Sequence, residues 1–577
     1  MCGIIGIVSQ EYISSKEIIK ALKRLEYRGY DSVGYALNDG TIEKDTGQIS
    51  LFLEKMKDKK FKTGIAHTRW ATHGGVSKEN AHPHSDCSNN IMIVHNGIIE
   101  NYLDIKDELL KKGHVFRSET DSEVIAHYFE EKLKNTDIKK AILDFMKEAR
   151  GTFAVLMIKK GENKIYVFKR DSPLVLGIGE KKFYLSSDIY GFSDKTDKAI
   201  FFNDNEFAIV GEDYTFYDID GNIIEKEVKE FEWGFFEEKK EEYEHYMIKE
   251  IKEEGKAVRR IINSLNNEQH KKIIKLNEMI KNAKKVCFVA SGTSYFASLL
   301  GVYFLNRVNI ESQAIIASEF KHFIKIDEKT LVIAISQSGE TMDVLKALKF
   351  AKEKKAKIAS IVNVPYSSVQ RISDLSLEIL AGQEICVAAT KTFINQVSLL
   401  LYLANLNGLN VNLDTLHARI QETIDNNENK VEALAKTLCK KRDIYVLGRG
   451  FTYPIAREIA LKLKEISYIH GEGMMGGELK HGTLALIEKG TPVISLISYN
   501  DHEMISNTKE VEARGARVIK ISNKKEIKPD FYLRTSKDEK FAITATIIGQ
   551  LLAYYIAREK GLPIDKPRNL AKSVTVE

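Results

Sequence analysis

The stretch KVCFVASGTSYFAS, at residues 285–298, has the form of an apolar strand followed by a glycine-containing turn, an aromatic residue and a helix. Residues 443–456, DIYVLGRGFTYPIA, repeat that form. Further strands follow at similar distances, at 331–340 and 357–364 in the first run and at 491–500 and 517–524 in the second. Strands that alternate with helices are typical of parallel α/β units. The sequence therefore predicts a duplicated, doubly wound α/β domain, with copies over residues 261–410 and 430–560.

The residues before this repeat are richer in strands and predict a separate mixed domain over residues 2–225. Strands are predicted at 3–8, 64–67, 91–95, 153–158, 164–168 and 200–210. Helices are predicted at 15–26, 101–112 and 121–149.

Two segments lie outside the predicted domains. Residues 226–260 are dense in charge and predict a solvated linker that becomes a helix, with Tyr246, Ile248 and Ile251 able to dock. Residues 561–577 contain two prolines and no strong amphipathic period, so they are predicted to form a C-terminal tail.

Composition restricts the class of protein. A chain of 577 residues is too long for one hydrophobic core, and about three to four domains are expected. The 86 Lys and Arg residues nearly balance 81 Asp and Glu residues, which argues against a nucleic-acid or membrane partner. The five cysteines include no CxxC pair, and no stretch approaches the ~20 apolar residues of a membrane span. We therefore expect a cytoplasmic protein without disulfides.

Cys2 is a candidate nucleophile. Removal of Met1, which a small second residue permits, would place a thiol and a free α-amine on the same carbon. Both groups titrate near neutral pH, so the amine is able to take the proton of the thiol and return it later. The alternative is that position 2 holds an arbitrary small residue.

Four polar motifs follow Cys2 in the first domain: HTRWATHG (67–74), NAHPH (80–84), HNGIIEN (95–101) and SETDSE (118–123). Their five histidines invite a metal site, but neither HExxH spacing nor a closed Cys/His set is present, so no metal is expected. The motifs do contain the groups that hold an amino acid: Arg69 for a carboxylate, Asp121 for an ammonium, and Asn96 with Gly97 for an oxyanion. Singly, each is equally compatible with a turn or surface residue.

Cys2 and these four motifs together resemble the class II glutamine amidotransferase domain, an N-terminal-nucleophile hydrolase of αββα architecture. The resemblance implies that Cys2 attacks the side-chain amide of L-glutamine, with its α-amine as the base and Asn96 and Gly97 as the oxyanion hole. It implies that Trp70 gates a path for ammonia. The implied glutamine-binding residues are Arg69, Trp70, Thr72, His73 and Asp121.

Two loops in the first repeat are candidate anion sites. SGTS (291–294) and SQSGET (336–341) each follow a predicted strand and precede a predicted helix. Hydroxyls and backbone amides at a helix N-terminus favour phosphate, although each loop alone could equally be a helix cap. No Walker lysine and no GxGxxG fingerprint accompany them, so ATP and NAD are poor candidates.

The second repeat and the tail carry candidate proton-transfer groups. REIALKLKEISYIHGEG (457–473) predicts a helix with Glu458, Lys462 and Glu465 on one face, which is also the pattern of an amphipathic helix with a charged flank. His481 lies in the glycine-flanked GELKHG loop, a reasonable place for proton transfer. Lys572 in the tail would form a Schiff base if the tail enters a desolvated pocket, and would otherwise be a solvated charge.

Together, SGTS, SQSGET, KLKEISYIH, GELKHG and PRNLAKSVTVE resemble the two sugar-isomerase domains of the glutamine–fructose-6-phosphate aminotransferase family, and the resemblance covers essentially the whole chain. It implies that glutamine and fructose 6-phosphate give glutamate and glucosamine 6-phosphate, the first step of amino-sugar synthesis. The resemblance implies that the reaction needs no metal or organic cofactor. It also implies that the protein is a homodimer.

The resemblance also assigns the sugar site. Lys572 forms an imine with the C2 ketone, Glu465 shuttles a proton from C1 to C2, and His481 of a neighbouring subunit assists ring opening. Glu458 and Lys462 support Glu465. The implied sugar-phosphate residues are Thr293, Ser294, Ser336, Gln337, Ser338 and Thr341.

Two rival functions are weaker. An amidotransferase acting on phosphoribosyl pyrophosphate would need an acidic loop for a pyrophosphate-bound metal, which is not found. A sugar-phosphate sensor would need a DNA-binding module and a basic patch, and it would leave Cys2 without a role.

Overall fold

The computed structural model describes residues 2–70, 74–231, 240–535 and 539–574. The chain divides into two units, Met1–Glu237 with Ser573–Glu577, and Glu238–Lys572. The finer division into domains at residues 225, 260, 410, 430 and 560 stays a prediction.

The first unit contains antiparallel strands and five helices among its described residues. Its strands are β1 Gly3–Ser14, β2 Ser32–Leu37, β3 Ile42–Thr46, β4 Lys60–Arg69, β5 His84–Ser85, β6 Ile91–Ile99, β7 Gly151–Lys159, β8 Ile165–Arg170, β9 Val175–Gly179, β10 Lys182–Ser186, β11 Lys198–Phe201, β12 Glu206–Val210, β13 Tyr214–Tyr217, β14 Ile223–Ile224 and β15 Lys229–Glu230. Its helices are α1 Ser15–Lys23, α2 Ile49–Lys55, α3 Tyr102–Lys111, α4 Glu123–Lys132 and α5 Ile138–Glu148.

These strands form two sheets packed face to face, in the orders β15-β11-β9-β10-β1-β4-β2-β3 and β14-β13-β12-β8-β7-β6-β5. Ile4 of β1 and Val94 of β6 belong to the apolar core between the sheets. Ile93 of β6 instead packs in a second core with Phe129 of α4, and α1 packs on β1 and β4. Central strands buried on both faces read as continuous apolar runs, which is why the sequence reveals them. The result is the αββα layering that the sequence predicts.

Two predicted elements of this unit are wrong in their extent. The strand predicted at 200–210 is two strands, β11 and β12, because Asn205 adopts a left-handed φ of 63° between them. The helix predicted at 121–149 is two helices, α4 and α5. The second one begins anew because the Asp137 carboxylate caps it, accepting a hydrogen bond from the Lys140 amide at 3.0 Å.

The second unit contains two parallel sheets surrounded by helices. Its helices are α6 Tyr246–Lys252, α7 Glu254–Asn266, α8 His270–Asn282, α9 Gly292–Asn306, α10 Phe320–Phe323, α11 Met342–Glu353, α12 Ser368–Ile372, α13 Lys391–Asn405, α14 Leu416–Leu438, α15 Thr452–Lys462, α16 His502–Glu512 and α17 Lys540–Glu559. Its strands are β16 Lys285–Ala290, β17 Gln313–Ile316, β18 Thr330–Ser336, β19 Lys357–Val362, β20 Leu375–Glu378, β21 Asp443–Gly448, β22 His470–Met475, β23 Pro492–Ile497, β24 Arg517–Ser522 and β25 Phe531–Tyr532.

The two sheets share one topology, which confirms the predicted repeat. Their strand orders are β17-β16-β18-β19-β20 and β22-β21-β23-β24-β25, and all neighbours are parallel. In chain order within each copy both sheets read 2-1-3-4-5. Such a sheet has a crevice beyond the carboxyl ends of its first and third strands, where ligands bind. In the first copy these strands are β16 and β18.

The start of the second unit overlaps the predicted linker. Within 226–260, α6 and the first residues of α7 are helical. Ile248 and Ile251 are buried in the core of the unit, where the sequence expects them to dock.

One helix, α17, corrects the expectation that no stretch could span a membrane. It is long and apolar enough by length and composition, with a mean hydropathy of 1.3 over its most apolar window, yet that window is entirely buried inside the fold. Tyr555 of α17 donates a hydrogen bond to Glu428 of α14 at 2.7 Å. A core helix that is apolar on all sides passes the same test of composition.

Candidate active sites

Cys2 lies at the start of the central strand β1, beside the end of β4. Gly3 pairs with Thr68 of β4, and this register brings Trp70 next to Cys2. The Trp70 amide donates to the Cys2 Sγ atom at 3.4 Å. Burial raises the pKa of the Cys2 thiol above its usual value, against the opposing effects of the Trp70 amide and the nearby Arg69 charge. A base close to Cys2 is therefore needed to form the thiolate.

Asn96 on β6 faces Cys2. Its Nδ2 atom donates to the Cys2 carbonyl oxygen at 3.0 Å, and its Oδ1 atom lies 3.2 Å from His67 Nε2. Burial lowers the pKa of His67 to about 3, so the ring is neutral at neutral pH and is able to orient the amide as a donor. Both side chains are buried.

Gly97 follows Asn96 and has to be glycine. Its φ is +134°, and a Cβ atom there would lie 2.0 Å from the Thr152 carbonyl oxygen of the paired strand β7. The two residues predicted to form an oxyanion hole are thus adjacent on one rigid central strand, which is how such donors are held in place.

Arg69 and Asp121 are both buried. The Arg69 guanidinium donates to the carbonyl oxygens of Gly74 and Gly75 at 3.3 and 3.2 Å. The Asp121 carboxylate accepts a hydrogen bond from the Ile99 amide of β6 at 2.8 Å. Burial lowers the pKa of the Arg69 guanidinium below its usual value, and the nearby groups Cys2, Asp31 and Asp121 oppose this effect. Trp70 is half-buried, and the predicted residues Thr72 and His73 lie outside the described residues.

The histidines of the polar motifs pack against one another. The ring of His82 lies 4.0 Å from that of His67 and 4.5 Å from that of His84, measured between centroids. Burial lowers the pKa of His67, His82, His84 and His95. They are a neutral buried cluster behind Asn96.

In the second unit, the two predicted anion loops flank the crevice between β16 and β18. SGTS starts α9 directly after β16, and SQSGET joins β18 to α11. The Ser336 Oγ atom accepts a hydrogen bond from the Gly339 amide at 2.9 Å and lies 3.4 Å from Thr341 Oγ1, while Ser338 Oγ accepts from the Glu340 amide at 3.1 Å. Hydroxyls and helix N-termini on both sides of this crevice can hold a phosphate.

The first loop also connects to the second repeat. The Lys462 Nζ atom donates to Thr293 Oγ1 at 3.0 Å, and Thr293 Oγ1 donates to Glu458 Oε1 at 3.3 Å. Lys462 Nζ donates to Glu465 at 2.5 Å. Burial raises the pKa of Glu458 to about 7, although the Lys462 charge opposes this. The predicted group of Glu458, Lys462 and Glu465 therefore exists, and Thr293 belongs to it.

Ser294 and Gln337, the remaining residues of these loops, form hydrogen bonds within the first α/β repeat. The Ser294 Oγ atom accepts a hydrogen bond from Gln396 Nε2 at 3.0 Å. The Gln337 carbonyl oxygen accepts hydrogen bonds from the amides of Asn363 and Val364, both at 3.2 Å.

The helix predicted over 457–473 is wrong beyond Ser467. Helix α15 ends at Lys462, a π-helical turn follows over Leu463–Ser467, and Tyr468 has a left-handed φ of 54°. Residues from His470 onward form β22, which pairs in parallel with β21. Glu465 lies within this π turn, which holds one more residue than an α turn. Single π turns of this kind often occur at functional sites.

Lys572 is buried, unlike an ordinary lysine of a tail. Its side chain is 2% exposed, it forms an ion pair with Glu384, and its Nζ atom donates to the Cys386 carbonyl oxygen at 2.8 Å. Burial alone would raise the pKa of Glu384, but Lys572 and the amides of Thr390 and Thr392 lower it below its usual value. The tail is therefore part of the second unit's interior at this residue.

Glu384 and Glu250 are residues of this site that sequence reasoning missed. Glu250 accepts hydrogen bonds from the amides of Ile385 and Cys386. Burial, and then the Glu384 charge, raise its pKa to about 8. Neither glutamate belongs to a periodic pattern. The sequence signal is weak: Glu384 is the only charged residue in the stretch 379–390, and Glu250 is the only acidic residue in the short helix α6.

His481 is not brought to this group. It is exposed, at the end of a 3₁₀ turn over Gly476–His481. Among the described residues, no hydrogen bond or ion pair joins it to Lys572 or Glu465.

Two domain families match the chain. The first, described as a glutamine amidotransferase domain, matches residues 67–194, and the second, described as a SIS domain, matches residues 279–406 and 437–558. Among solved structures, the C-terminal domain of glucosamine-fructose-6-phosphate aminotransferase from Francisella tularensis is 34% identical with a TM-score of 0.52. It covers 57% of this chain and 100% of its own.

Full-length relatives agree with these domains. The chain is 44% identical to a glutamine–fructose-6-phosphate aminotransferase (isomerizing) of Thermococcus kodakarensis, and 100% of each chain is covered. The enzymes of the same name from Methanothermobacter thermautotrophicus and Aquifex aeolicus are each 42% identical, also with complete coverage. The chain therefore belongs to the glutamine–fructose-6-phosphate aminotransferase (isomerizing) family.

Proposed function

We propose that this chain transfers the amide nitrogen of L-glutamine to fructose 6-phosphate, giving glutamate and glucosamine 6-phosphate. Glutamine and water give glutamate and ammonia in the first unit. Ammonia and fructose 6-phosphate give glucosamine 6-phosphate and water in the second unit. Family membership and the presence of both domain types support this division of the reaction.

In the proposed glutaminase step, removal of Met1 frees the α-amine of Cys2, which takes the proton of the thiol. The thiolate adds to the glutamine amide carbon, and the negative oxygen is stabilised by the Asn96 side-chain amide and the Gly97 backbone N–H. The amine returns its proton to the departing ammonia, and water then hydrolyses the thioester. The 3.0 Å hydrogen bond from Asn96 Nδ2 to the Cys2 carbonyl oxygen supports this assignment, since it places the donor beside the nucleophilic residue.

The remaining glutamine contacts follow from charge. Arg69 would bind the α-carboxylate in two-pronged fashion, and Asp121 would bind the α-ammonium. Trp70, Thr72 and His73 would complete the pocket, and Trp70 would gate the ammonia.

In the proposed sugar step, the phosphate lies between the two loops at the β16/β18 crevice. The residues assigned to it are Thr293, Ser294, Ser336, Gln337, Ser338 and Thr341. Phosphate binding by these residues would hold the sugar close to the hydrogen bond between Lys462 and Thr293.

Lys572 would attack C2 of the open-chain ketose and release water as the imine forms, and ammonia would then displace the lysine. Glu465 would move a proton from C1 to C2, which converts the C2 imine into a 2-amino aldose. Lys462 would hold Glu465 in place, with Glu458 on its other side. No metal or organic cofactor enters these steps.

We further infer a cytoplasmic homodimer. The exposed position of His481 supports this, because a histidine that assists ring opening has to reach a sugar, and a neighbouring subunit would supply it. The five cysteines are free, as is usual in a reducing compartment.

The single observation that carries the proposal is the burial of the Lys572 side chain, because a lysine in a chain tail is ordinarily solvated and this one lies in the interior of the second unit. Purified protein with glutamine and fructose 6-phosphate should give equal amounts of glutamate and glucosamine 6-phosphate. Production of glutamate without any amino sugar would overturn the proposal.

A further inference from the structure

Four side chains of the first unit converge at a point that the proposed reaction does not use: Cys87, His114, His127 and Glu130. Their ligand atoms all lie within 4.8 Å of one another. The Cys87 Sγ atom is 3.9 Å from His114 Nδ1 and 3.6 Å from His127 Nδ1. Glu130 Oε2 is 2.9 and 3.1 Å from the same two nitrogens. A zinc ion about 2.0–2.3 Å from each ligand would require separations of this size in a tetrahedron.

We propose that Cys87, His114, His127 and Glu130 bind a structural zinc ion. Zinc takes thiolate, imidazole and carboxylate ligands, and four protein ligands close the coordination sphere, as in structural sites. The mixture of one sulfur, two nitrogens and one oxygen disfavours magnesium and calcium, which prefer oxygen ligands alone.

The outer nitrogen of each histidine faces a carboxylate. His114 Nε2 lies 3.2 Å from Glu131 Oε2, within hydrogen-bond distance, whereas His127 Nε2 lies 3.6 Å from Glu123 Oε1, which is an electrostatic contact only. A neutral His114 that donates from Nε2 to Glu131 presents a free lone pair at Nδ1, which is the usual arrangement of a metal-binding histidine. In each ring, that Nδ1 atom faces Cys87 and Glu130.

The two rings also share one acceptor. Glu130 Oε2 lies within hydrogen-bond distance of the Nδ1 atoms of both His114 and His127, and the ring centroids are 5.4 Å apart. A zinc ion between these atoms would be bound by both Nδ1 lone pairs and the carboxylate, so the convergence of the three atoms fits a metal site.

The site would join three segments of the first unit. Cys87 lies in the turn before β6, His114 follows α3, and both other ligands lie on α4. Strand β6 carries Asn96 and Gly97, so the metal would anchor the segment that enters this strand. Metal binding of this kind adds directly to the folding free energy.

Glu123 connects the proposed metal site with the segment that carries Asp121. Besides facing His127, it accepts hydrogen bonds from the amides of Arg117 and Ser118 at 2.8 and 2.7 Å. The segment that leads to Asp121 is therefore tied to the same helix turn as the metal ligand. The histidines of the polar motifs predict no metal, and His114 and His127 lie outside those motifs.

Metal content of the full-length protein tests the proposal. Protein expressed with zinc and freed of loose metal by gel filtration should hold about one zinc per chain, by elemental analysis. The variant Cys87→Ser should lose the metal, while Cys439→Ser, which removes a cysteine of the second unit, should keep it. A wild-type protein without zinc, or Cys87→Ser with full zinc, overturns the site.

If Cys87→Ser does not fold, experiments on the wild-type protein test whether Cys87 is a zinc ligand. Zinc should protect Cys87 from alkylation, mapped by mass spectrometry, whereas Cys439 should react equally with and without zinc. Cobalt in place of zinc should show a thiolate-to-metal charge-transfer band. Equal alkylation of Cys87 in both states, or cobalt without that band, contradicts a Cys87 ligand.

A variant outside the ligand set separates coordination from general packing. Glu131→Gln keeps the shape of the side chain but weakens the partner of His114 Nε2, so zinc affinity should fall by about 10–100-fold. Lys134→Gln, which removes an exposed ion-pair partner of Glu131, should change zinc affinity much less. Equal zinc affinity in Glu131→Gln and wild type contradicts the assigned role of Glu131.

Discussion

Lys572 and Glu384 form an ion pair whose side chains are 2% and 0% exposed, although they are 188 residues apart in the chain. The carboxylate also accepts hydrogen bonds from the amides of Thr390 and Thr392, each at 3.0 Å. A buried ion pair needs such additional hydrogen bonds to offset the loss of water. The lysine proposed to form the imine is thus held at a fixed position by Glu384 and the backbone.

The first prediction concerns Lys572→Ala. This change should abolish glucosamine 6-phosphate synthesis and leave glutamine hydrolysis in place, because the two steps use different units. It also leaves the Glu384 charge buried alone, at a cost of about 3–5 kcal/mol of unfolding free energy. Assays of both products, together with thermal unfolding, measure the two effects.

A double variant separates chemistry from stability. In Lys572→Met with Glu384→Gln no unpaired charge is buried, so much of the lost stability should return while synthesis stays absent. Lys525→Ala, an exposed lysine, is the control for the loss of a positive charge. Loss of both activities in a well-folded double variant would show that the proposed division of labour is wrong.

The second prediction is that Asn96→Ala lowers the kcat of glutamine hydrolysis by about 10²–10³-fold, with a smaller change in KM. One oxyanion donor contributes about this much to an acyl-transfer reaction. Glutamate production over a range of glutamine concentrations measures both constants. Asn163→Ala, at an exposed loop residue, should be neutral. A rise in KM at constant kcat would instead make Asn96 a ground-state binding residue.

The third prediction is that Gly97→Ala damages the first unit more than Gly161→Ala does. Both glycines have a positive φ, so both variants suffer backbone strain of about 1 kcal/mol or more. Only at Gly97 would the new Cβ atom meet a backbone oxygen, at 2.0 Å, whereas nothing lies within 4 Å of it at Gly161. The unfolding temperatures and glutaminase rates of the two variants test this, and equal effects would show that φ alone matters.

Much of the fold was predictable because its central strands are buried on both faces. Apolar runs such as those of β1, β6 and β7 are short, which favours strands over helices, and the repeated strand–turn–helix form reveals the two parallel sheets. The proposed roles in the first unit depend more on resemblance. The thiol and α-amine of Cys2 indicate only a candidate nucleophile, and the assignment of Asn96 to an oxyanion hole needs the family resemblance.

The failures have physical reasons. The helical period of residues 457–467 continues into the next residues, but pairing with β21 overrides it. Gly471 and Gly473 were the sequence signal for a strand in place of a helix. A Cβ atom at these positions would lie 2.6 and 2.4 Å from carbonyl oxygens of α15, so the strand needs glycine at alternate residues.

The proposed zinc ligands were invisible for another reason. Cys87, His114 and His127 come from three separate segments with no motif spacing, and only the packing of α4 against two turns brings them together. Glu384 is equally unmarked, because nothing local connects it with a lysine 188 residues away.

The last prediction concerns pH. Burial and the Glu384 charge raise the pKa of Glu250 to about 8, whereas an unfolded chain binds this proton with a pKa of about 4.3. Between these values the folded state holds more protons, so the unfolding free energy falls as pH rises, by about 1.4 kcal/mol per pH unit for one proton. The favourable contribution is fully present below pH about 4 and is lost as pH rises to about 8.

Glu250→Gln should therefore flatten the pH dependence of unfolding between pH 5 and 8 and should be more stable than the wild type at about pH 8. Glu253→Gln is a matched control in the adjacent turn. Burial alone would raise the pKa of Glu253, but Lys391 lowers it below its usual value. Glu253→Gln should therefore be less stable than the wild type at neutral pH, and this difference should disappear in acid, where the wild type loses the contribution of the carboxylate. Denaturant unfolding at several pH values gives both slopes. An unchanged slope in Glu250→Gln would mean that Glu250 is ionised in the folded protein, and the charge balance around Lys572 would then include a second carboxylate.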